Sequence, residues 1–418
     1  MRLLFVHQNF PGQYRHLAPY FASRPGHEVV AVGEKANILR QRPNMPGVKM
    51  LGYDLPKLDP AKATPFNASV VRAIHRGRTV ARGAEALRRS GFKPDVVFTH
   101  LGWGEGLFLK DLFPEAKVLL YCEFFYRARG GDVAFDPEFP MSPEAVLRLR
   151  VMNAPLLMAL DASDWGQAPT RWQQKQFPAA YASRMSVIHD GVDTDLLQDA
   201  PDPAFRIPGT DRTLTREDEV VTYVARNFEP YRGFHIFMRA IPEIQKRRPK
   251  ARIVLVGGDE VSYSPRPPAG ETYRGRMMKE MGKKIDFSRV SILGRIPYAE
   301  YASLLRVSSA HVYLTYPFVL SWSLIVALAA GCAVVASRTP PVEEVIVDGE
   351  NGLLVDFFST EAIAERVDEA LRGGDRIRAM RERARKTAVE RFDLKRVCLP
   401  AQVRMVEALG SGKLPAES

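Results

Sequence analysis

Three kinds of residue stand where they could do chemistry. The segment 223-YVARNFEPYRGFHIFMRAI places Arg226 and Arg232 at a strand end and just ahead of a helix. Two guanidiniums across such a turn can clamp a diphosphate without a metal ion. In 315-TYPFVLSWSLIVALAAG a strand delivers a loop, and Ser321 and Ser323 can cap the apolar helix that follows, whose amide dipoles then favour an anion. His100, in 100-HLGWGEG, emerges from a strand, where it can reach a ligand or simply cap the next turn. The glycines at 102, 104 and 106 do not make a GxGxxG, so no dinucleotide site follows. Glu123 follows the apolar run 117-KVLLYC beside Phe124, Phe125 and Tyr126. Such surroundings raise a carboxyl pKa and suit an acid, base or hydroxyl ligand; a salt bridge to Arg127 or Arg129 is the alternative. Gly12, in 7-HQNFPGQYRHLA, either lets the backbone approach a ligand or serves a turn.

These residues need elements to hold them. Short, continuously apolar runs recur along the chain: 2-RLLFV, 28-EVVAVG, 95-DVVFT, 117-KVLLYC and 185-MSVIH, then 220-VVTYVA, 252-RIVLVGG, 290-VSILG, 311-HVYLT and 333-AVVAS. Runs of this kind suit strands buried on both faces, and their alternation with helices predicts two doubly wound α/β domains. The polar, Pro-rich stretch from Thr194 to Glu219 separates the two series. The expected division is 1–197, with a helix 396–410 returning to it, and 198–395. The loop 258-GDEVSYSPRPPAGETY reads as mobile and close to a ligand, 348-DGENGLLV as a tight turn into another short strand, and 410-GSGKLPAES as a disordered tail.

Composition narrows the class. The chain has 418 residues, 46% hydrophobic and 26% charged, with a net charge of +11, which favours anionic partners. No apolar run reaches the roughly 18 residues of a membrane span, and the N-terminal residues do not read as a signal peptide. Three widely spaced cysteines lack metal-ligand spacing and read as reduced thiols, so a cytoplasmic protein without metal is expected. No zinc, RNP or helix-turn-helix signature supports nucleic-acid binding.

The segments HQNFPGQYRHLAP, PTRWQQKQFP, VIHDGVDTD, VARNFEPYRGFHIF, ILGRIPYAEY, ALAAGCAVVAS and VEEVIVDGENGLLVDF together resemble the retaining glycosyltransferases of family 4. The resemblance covers essentially the whole chain. It implies the GT-B fold, two Rossmann-like domains facing across a cleft with a C-terminal helix crossing back to the first. It implies transfer of a sugar from a nucleotide-sugar to an acceptor hydroxyl with retention, without metal or other cofactor. The acceptor would be a glycan, lipid-linked or a small molecule. The second domain would bind the donor: Arg226 and Arg232 its diphosphate, assisted by the amides of Ser321, Trp322 and Ser323, and the backbone at Arg295 and Ile296 its base. Gly12, His100 and Glu123 would face the acceptor or the transferred sugar.

One departure matters. Where the family expects a glutamate contacting the ribose and, eight residues earlier, an acid touching the donor sugar, this chain has Val326 and Phe318. A lost charge-assisted hydrogen bond costs about 1.5–3 kcal/mol. A catalytically impaired relative acting as a binding or partner subunit is therefore the alternative to an active enzyme. A last feature is 70-VVRAIHRGRTVARGAEALRRSGFK, which carries Arg72, Arg76, Arg78, Arg82, Arg88, Arg89 and Lys93 against Glu85. Val70, Ala73, Ile74, Val80, Ala81, Ala84 and Leu87 would form its apolar side. It is either a solvated surface helix or a peripheral contact with the anionic inner face of a membrane.

Overall fold

The apolar runs become the strands of two parallel sheets in the computed structural model, which describes residues 1–198 and 202–415. The first sheet contains β1 (Arg2–Val6), β2 (Glu28–Glu34), β3 (Val48–Tyr53), β4 (Val96–His100), β5 (Lys117–Tyr121), β6 (Trp165–Ala168) and β7 (Met185–Val187), in the order β3-β2-β1-β4-β5-β6-β7. Successive β1 residues serve opposite faces, as the strand period of two requires. Leu4 and Val6 pack with Val80 and Leu87 of the helix Ala68–Arg89. Leu3 and Phe5 pack with Phe21 and with Val403 and Met405 of the helix Leu399–Gly410. That helix belongs to the first compact unit, which runs from Met1 to Asp190 and regains the chain at Cys398.

The second unit, Gly191–Val397, has a short antiparallel hairpin, β8 (Ala204–Arg206) and β9 (Thr213–Thr215), and a six-stranded parallel sheet. The sheet contains β10 (Val220–Asn227), β11 (Arg252–Gly258), β12 (Val290–Ile292), β13 (Ala310–Tyr313), β14 (Val334–Ser337) and β15 (Leu353–Val355), in the order β12-β11-β10-β13-β14-β15.

Several expectations need correction. The first unit ends at Asp190 rather than 197, because Val192 and Leu197 join the apolar cluster around Leu324 and Ile325 of the second. The polar stretch beyond Leu197 contains the β8–β9 hairpin, whose Phe205 and Leu214 are buried; residues 199–201 lie outside the described set. The loop after β11 is tied down rather than loose. The Glu229 carboxylate accepts the amides of Ser262 (3.2 Å), Tyr263 (2.9 Å) and Ser264 (2.9 Å), and the Tyr273 hydroxyl donates to the Pro265 carbonyl (2.6 Å). Of the expected tail, Gly410 closes the last helix and residues 416–418 lie outside the described set.

Burial also fixes the charge of three histidines. It holds His7 and His311 down to about 3 and His189 to about 4, far below the ordinary 6.5. The unfolded chain binds protons near pH 6.5 and the fold does not, so stability is full above that value and falls as pH drops toward 3–4. Each histidine should cost roughly 1.4 kcal/mol per pH unit within that window, about 2 kcal/mol at pH 5. Urea unfolding followed from pH 7.5 to 5 checks this. A profile no steeper than its carboxylates alone produce would mean that these rings protonate inside the fold.

Candidate functional site

Open parallel sheets bind ligands beyond the carboxyl ends of their strands, where the strand order reverses. In the first unit that point lies between β1 and β4, and in the second between β10 and β13. Strand order is what brings distant segments together there. His7 follows β1 and His100 ends β4; Arg226 lies on the last turn of β10, and the loop 314–321 follows β13.

In the second unit the two arginines have different fates. Arg226 is exposed and has no hydrogen bond or ion pair among the described residues. Arg232 is only 8% exposed. Its Nη1 donates to Thr315 Oγ1 (2.7 Å) and to the Val319 carbonyl (3.0 Å), and its guanidinium lies 5.5 Å from the Tyr263 ring centroid. Burial opposes its charge, but Tyr313, Tyr263, Glu229 and Tyr223 outweigh that and raise its pKa above the ordinary arginine value. Arg232 therefore holds the loop after β13, and its loss would disturb the fold, contrary to a purely ligand-facing role.

Arg295 is half exposed; it pairs with Glu260 and donates to Asn227 Oδ1 (2.9 Å), while Ile296 packs against the cluster of Val220, Val254 and Leu304. Ser321 caps the helix Trp322–Ala329: its Oγ accepts the Ser323 amide (3.3 Å) and the Ser323 hydroxyl (3.0 Å). Its own amide donates to the Tyr313 hydroxyl (2.9 Å), which fixes the loop's exit. Trp322 remains 37% exposed at the first turn. Phe318 is buried edge-on to Tyr231 (5.2 Å) and Tyr263 (4.9 Å). Val326 is 5% exposed and packs in the cluster of Leu324, Ile325 and Leu328. The helix thus presents a hydrocarbon layer, not a ligand contact, at this position.

In the first unit, His100 caps the next turn and also lies beside Glu123. Its Nδ1 accepts the Gly102 amide (2.9 Å), capping the next turn, so the ring hydrogen resides on Nε2, 3.5 Å from Glu123 Oε2. Trp103 stacks on the imidazole at 4.0 Å and Tyr121 at 5.4 Å between ring centroids. The Tyr121 hydroxyl donates to Asp190 Oδ2 (2.8 Å). Arg127 does not pair with Glu123; it donates to the carbonyls of Lys175, Gln176 and Phe177. Gly12 has a structural reason of its own. With φ +48°, a Cβ there would stand 2.5 Å from the His7 ring, so its function is to admit that ring. His7 and Glu229 were not singled out from sequence, although His7 follows a strand as His100 ends one, and Glu229 lies between the two arginines.

The basic helix Ala68–Arg89 uses Ala73, Val80, Ala84 and Leu87 for its own unit's core. Arg76 lies between Glu34 (3.6 Å) and the buried Glu105 (3.9 Å), and Arg88 and Arg89 pair with Glu85. Burial raises the Glu105 pKa, against the pull of Arg76 and the Tyr53 hydroxyl. Arg72, Arg78, Arg82 and Lys93 are exposed and without ion pairs among the described residues.

Residues 25–197 match the model of the glycosyl transferase family 4 group, and residues 210–387 that of the glycosyl transferases group 1. The chain belongs to the family 4 glycosyltransferases. It is 28% identical, over 53% of its length and 57% of the relative's, to the GDP-mannose-dependent alpha-(1-6)-phosphatidylinositol monomannoside mannosyltransferase of Mycolicibacterium smegmatis. To that organism's phosphatidyl-myo-inositol mannosyltransferase it is 31% identical, over 49% of the chain and 47% of the relative. The chain thus spans about half the length of the curated relatives it matches. Among solved structures, Anabaena HepE in complex with UDP-glucose superposes with a TM-score of 0.68 at 16% identity, over 98% of this chain and 100% of that one. Sucrose-phosphate synthase from Thermosynechococcus elongatus gives 0.71 at 16% identity, over 99% and 100%. These likenesses establish the GT-B fold.

Three substitutions in the second unit test the assignment through stability. Arg232→Ala leaves Thr315 and Val319 without their buried donor and should cost about 3 kcal/mol. Val326→Glu buries a carboxylate in hydrocarbon and should cost several kcal/mol. Arg226→Ala should remain within about 0.5 kcal/mol of the parent. Thermal unfolding of the three variants checks the assignment; an Arg232→Ala protein as stable as the parent would make that side chain a ligand group after all.

Proposed function

We propose that this protein is a retaining, metal-independent glycosyltransferase that moves a sugar from a nucleotide-sugar donor to an acceptor hydroxyl. The observation that carries the reading is Arg226, an uncommitted guanidinium at the carboxyl end of the central strand β10, in a chain of this family. Arg226 binds the donor diphosphate and neutralises the charge that develops as the sugar leaves. Arg232 supports it by fixing the loop after β13, and the expected help from the helix falls to the Trp322 amide, since the Ser321 and Ser323 amides already donate to the Tyr313 hydroxyl and to Ser321 Oγ. The backbone at Arg295 and Ile296 takes the base. Val326 and Phe318 leave no carboxylate at those positions to meet the ribose or the sugar, so the donor is held by its diphosphate and base. In the first unit, the Nε2–H of His100 donates to a hydroxyl of the sugar or acceptor, and Glu123 accepts one.

The relatives are named for GDP-mannose and phosphatidylinositol substrates, and a structural neighbour was solved with UDP-glucose. These two donors, with inositol- and lipid-linked acceptors, are the first to try. Among the described residues no group of His, Cys, Asp or Glu is arranged to hold a metal ion, and the Asp193–Asp195 pair is engaged by Lys395 and Arg396. Transfer from radiolabelled donor should therefore persist in excess chelator, and Arg226→Ala should weaken donor binding by about thirtyfold, from the loss of some 2 kcal/mol. Activity abolished by chelator and restored by manganese would overturn the arginine account. Donor binding without transfer or hydrolysis would support the partner-subunit reading instead.

A peripheral contact with an anionic membrane is a second part of the proposal, although not with the charges first counted. No helix among the described residues is long and apolar enough to cross a membrane. The charges available are Arg72, Arg78, Arg82 and Lys93. The neighbouring helix Pro143–Asp161 adds apolar surface: Leu147 is 65% and Met158 47% exposed, and with Val151 and Ala154 they follow one helical stripe. Arg148 of that helix reaches the Pro65 carbonyl (3.5 Å), just ahead of the basic helix. Each basic residue contributes about 1 kcal/mol near an anionic leaflet. Replacing Arg72, Arg78 and Arg82 together with Gln should lower binding to phosphatidylserine-containing vesicles by about a hundredfold at low salt. Unchanged co-sedimentation would leave the helix a solvated face.

A further inference from the structure

His7 has no chemistry left to perform. Its ring is 2% exposed. Nδ1 accepts the Asn9 amide (2.9 Å), which leaves the hydrogen on Nε2, donated to Gln13 Oε1 (2.7 Å). Burial, reinforced by the neighbouring His100, keeps the ring neutral down to about pH 3. What the ring does is touch. Its edge meets His100 at 5.1 Å and 78°, and Trp103 at 5.0 Å and 69°, while those two rings stack on each other. Gly12 gives up its side chain to make room for it. His100, by contrast, has a buried Nε2 with no hydrogen-bond partner in the structure.

We propose that His7 is a positioning residue for His100: its neutral, doubly tethered ring sets the plane in which the Nε2–H of His100 points at Glu123 and at a substrate hydroxyl. The proposal rests on the reading of His100 and Glu123 given above. It accounts for three features that the reading leaves unexplained: the spent nitrogens of His7, the glycine at 12, and the Gln13 tether. It also has an electrostatic side. The titratable groups facing His100 are His7 after β1, Tyr121 on β5, Glu123 after β5 and Glu105 beyond β4. Burial keeps Tyr121 protonated and raises the Glu105 pKa, so Glu123 is the carboxylate that faces the His100 Nε2–H directly.

Two variants test this. His7→Phe keeps an aromatic ring but removes both tethers; Gln13→Leu removes one tether and leaves His7 in place. Nitrogen-15 and proton NMR of histidine-labelled protein reads the His100 ring directly, without substrate. In the parent and in both variants the Gly102 amide should keep His100 in the Nε2–H form. In the variants the His100 ring resonances, set by the stacked Trp103 and Tyr121 rings, should shift and broaden as the ring plane loosens, with His7→Phe the larger change. In transfer assays kcat should fall about tenfold or more in His7→Phe, with the donor KM nearly unchanged. If His7→Phe fails to fold, Gln13→Leu carries the test. Folded variants with the parental His100 resonances and kcat would overturn the proposal. A parent that transfers no sugar would instead count against the proposed function, and the NMR arm would still decide whether His7 orients His100.

Discussion

A guanidinium kept out of water governs how the second unit presents its strand ends. Removing a charge from solvent costs several kcal/mol unless its donors are met, and Arg232 is met by Thr315 Oγ1 and the Val319 carbonyl. Thr315 is itself fixed: its amide donates to Ser337 Oγ (3.0 Å), and the Ser337 hydroxyl donates back to the Thr315 carbonyl (3.1 Å). The Tyr223 hydroxyl donates to the Arg232 carbonyl (2.6 Å). The ends of β10, β13 and β14 are thereby one hydrogen-bonded piece. Glu229, three residues before Arg232, adds the loop after β11 through its three amide contacts. Two inward charges of opposite sign settle four neighbouring strand ends, and Arg226 is left uncommitted beside them.

The first unit presents its strand ends with aromatic rings. His100 touches His7, Trp103 and Tyr121 at the ends of β1, β4 and β5, and the hydrogens on the two imidazoles are placed by backbone amides and by Gln13. The contrast fits the two halves of the proposed reaction. A diphosphate calls for fixed positive charge, whereas a sugar or acceptor hydroxyl calls for a donor and an acceptor of defined direction.

Most of the architecture was legible in the sequence because parallel strands buried on both faces leave a plain signal. The runs that became β1, β2, β4, β5, β10 and β11 were read within a residue or two of their observed ends. Two strands of the parallel sheets were not. β3, VKMLGY, is an edge strand mixing Lys49 and Gly52 with its apolar residues, and β6, WGQA, has no β-branched residue at all. The hairpin β8–β9 was hidden because only Phe205 and Leu214 of its six residues face inward. At the strand ends, residue type and position pointed to His100, Glu123 and Arg226, and all three lie at or just beyond such ends. What sequence could not distinguish was an exposed arginine from a buried one, since both precede the same glycine-led helix. The fate of Arg232 depends on a carbonyl at Val319, 87 positions away. The role of Gly12 likewise depends on a ring five residues before it, folded back over the turn.

Gly77, inside the basic helix, serves a close backbone contact. A Cβ at Gly77 would stand 2.7 Å from the Gly104 carbonyl oxygen, and one at Gly104 would stand 2.5 Å from the Ala73 carbonyl oxygen. Helix backbone and turn backbone therefore lie directly on each other, with no side chain between them to bend or change rotamer. Such a contact is stiff. The turn it bears on is the one whose Gly102 amide decides which nitrogen of His100 carries the hydrogen. Mechanically, the helix is a push-rod: a load on its charged outer face passes through bare backbone to the imidazole, with almost no slack along the way.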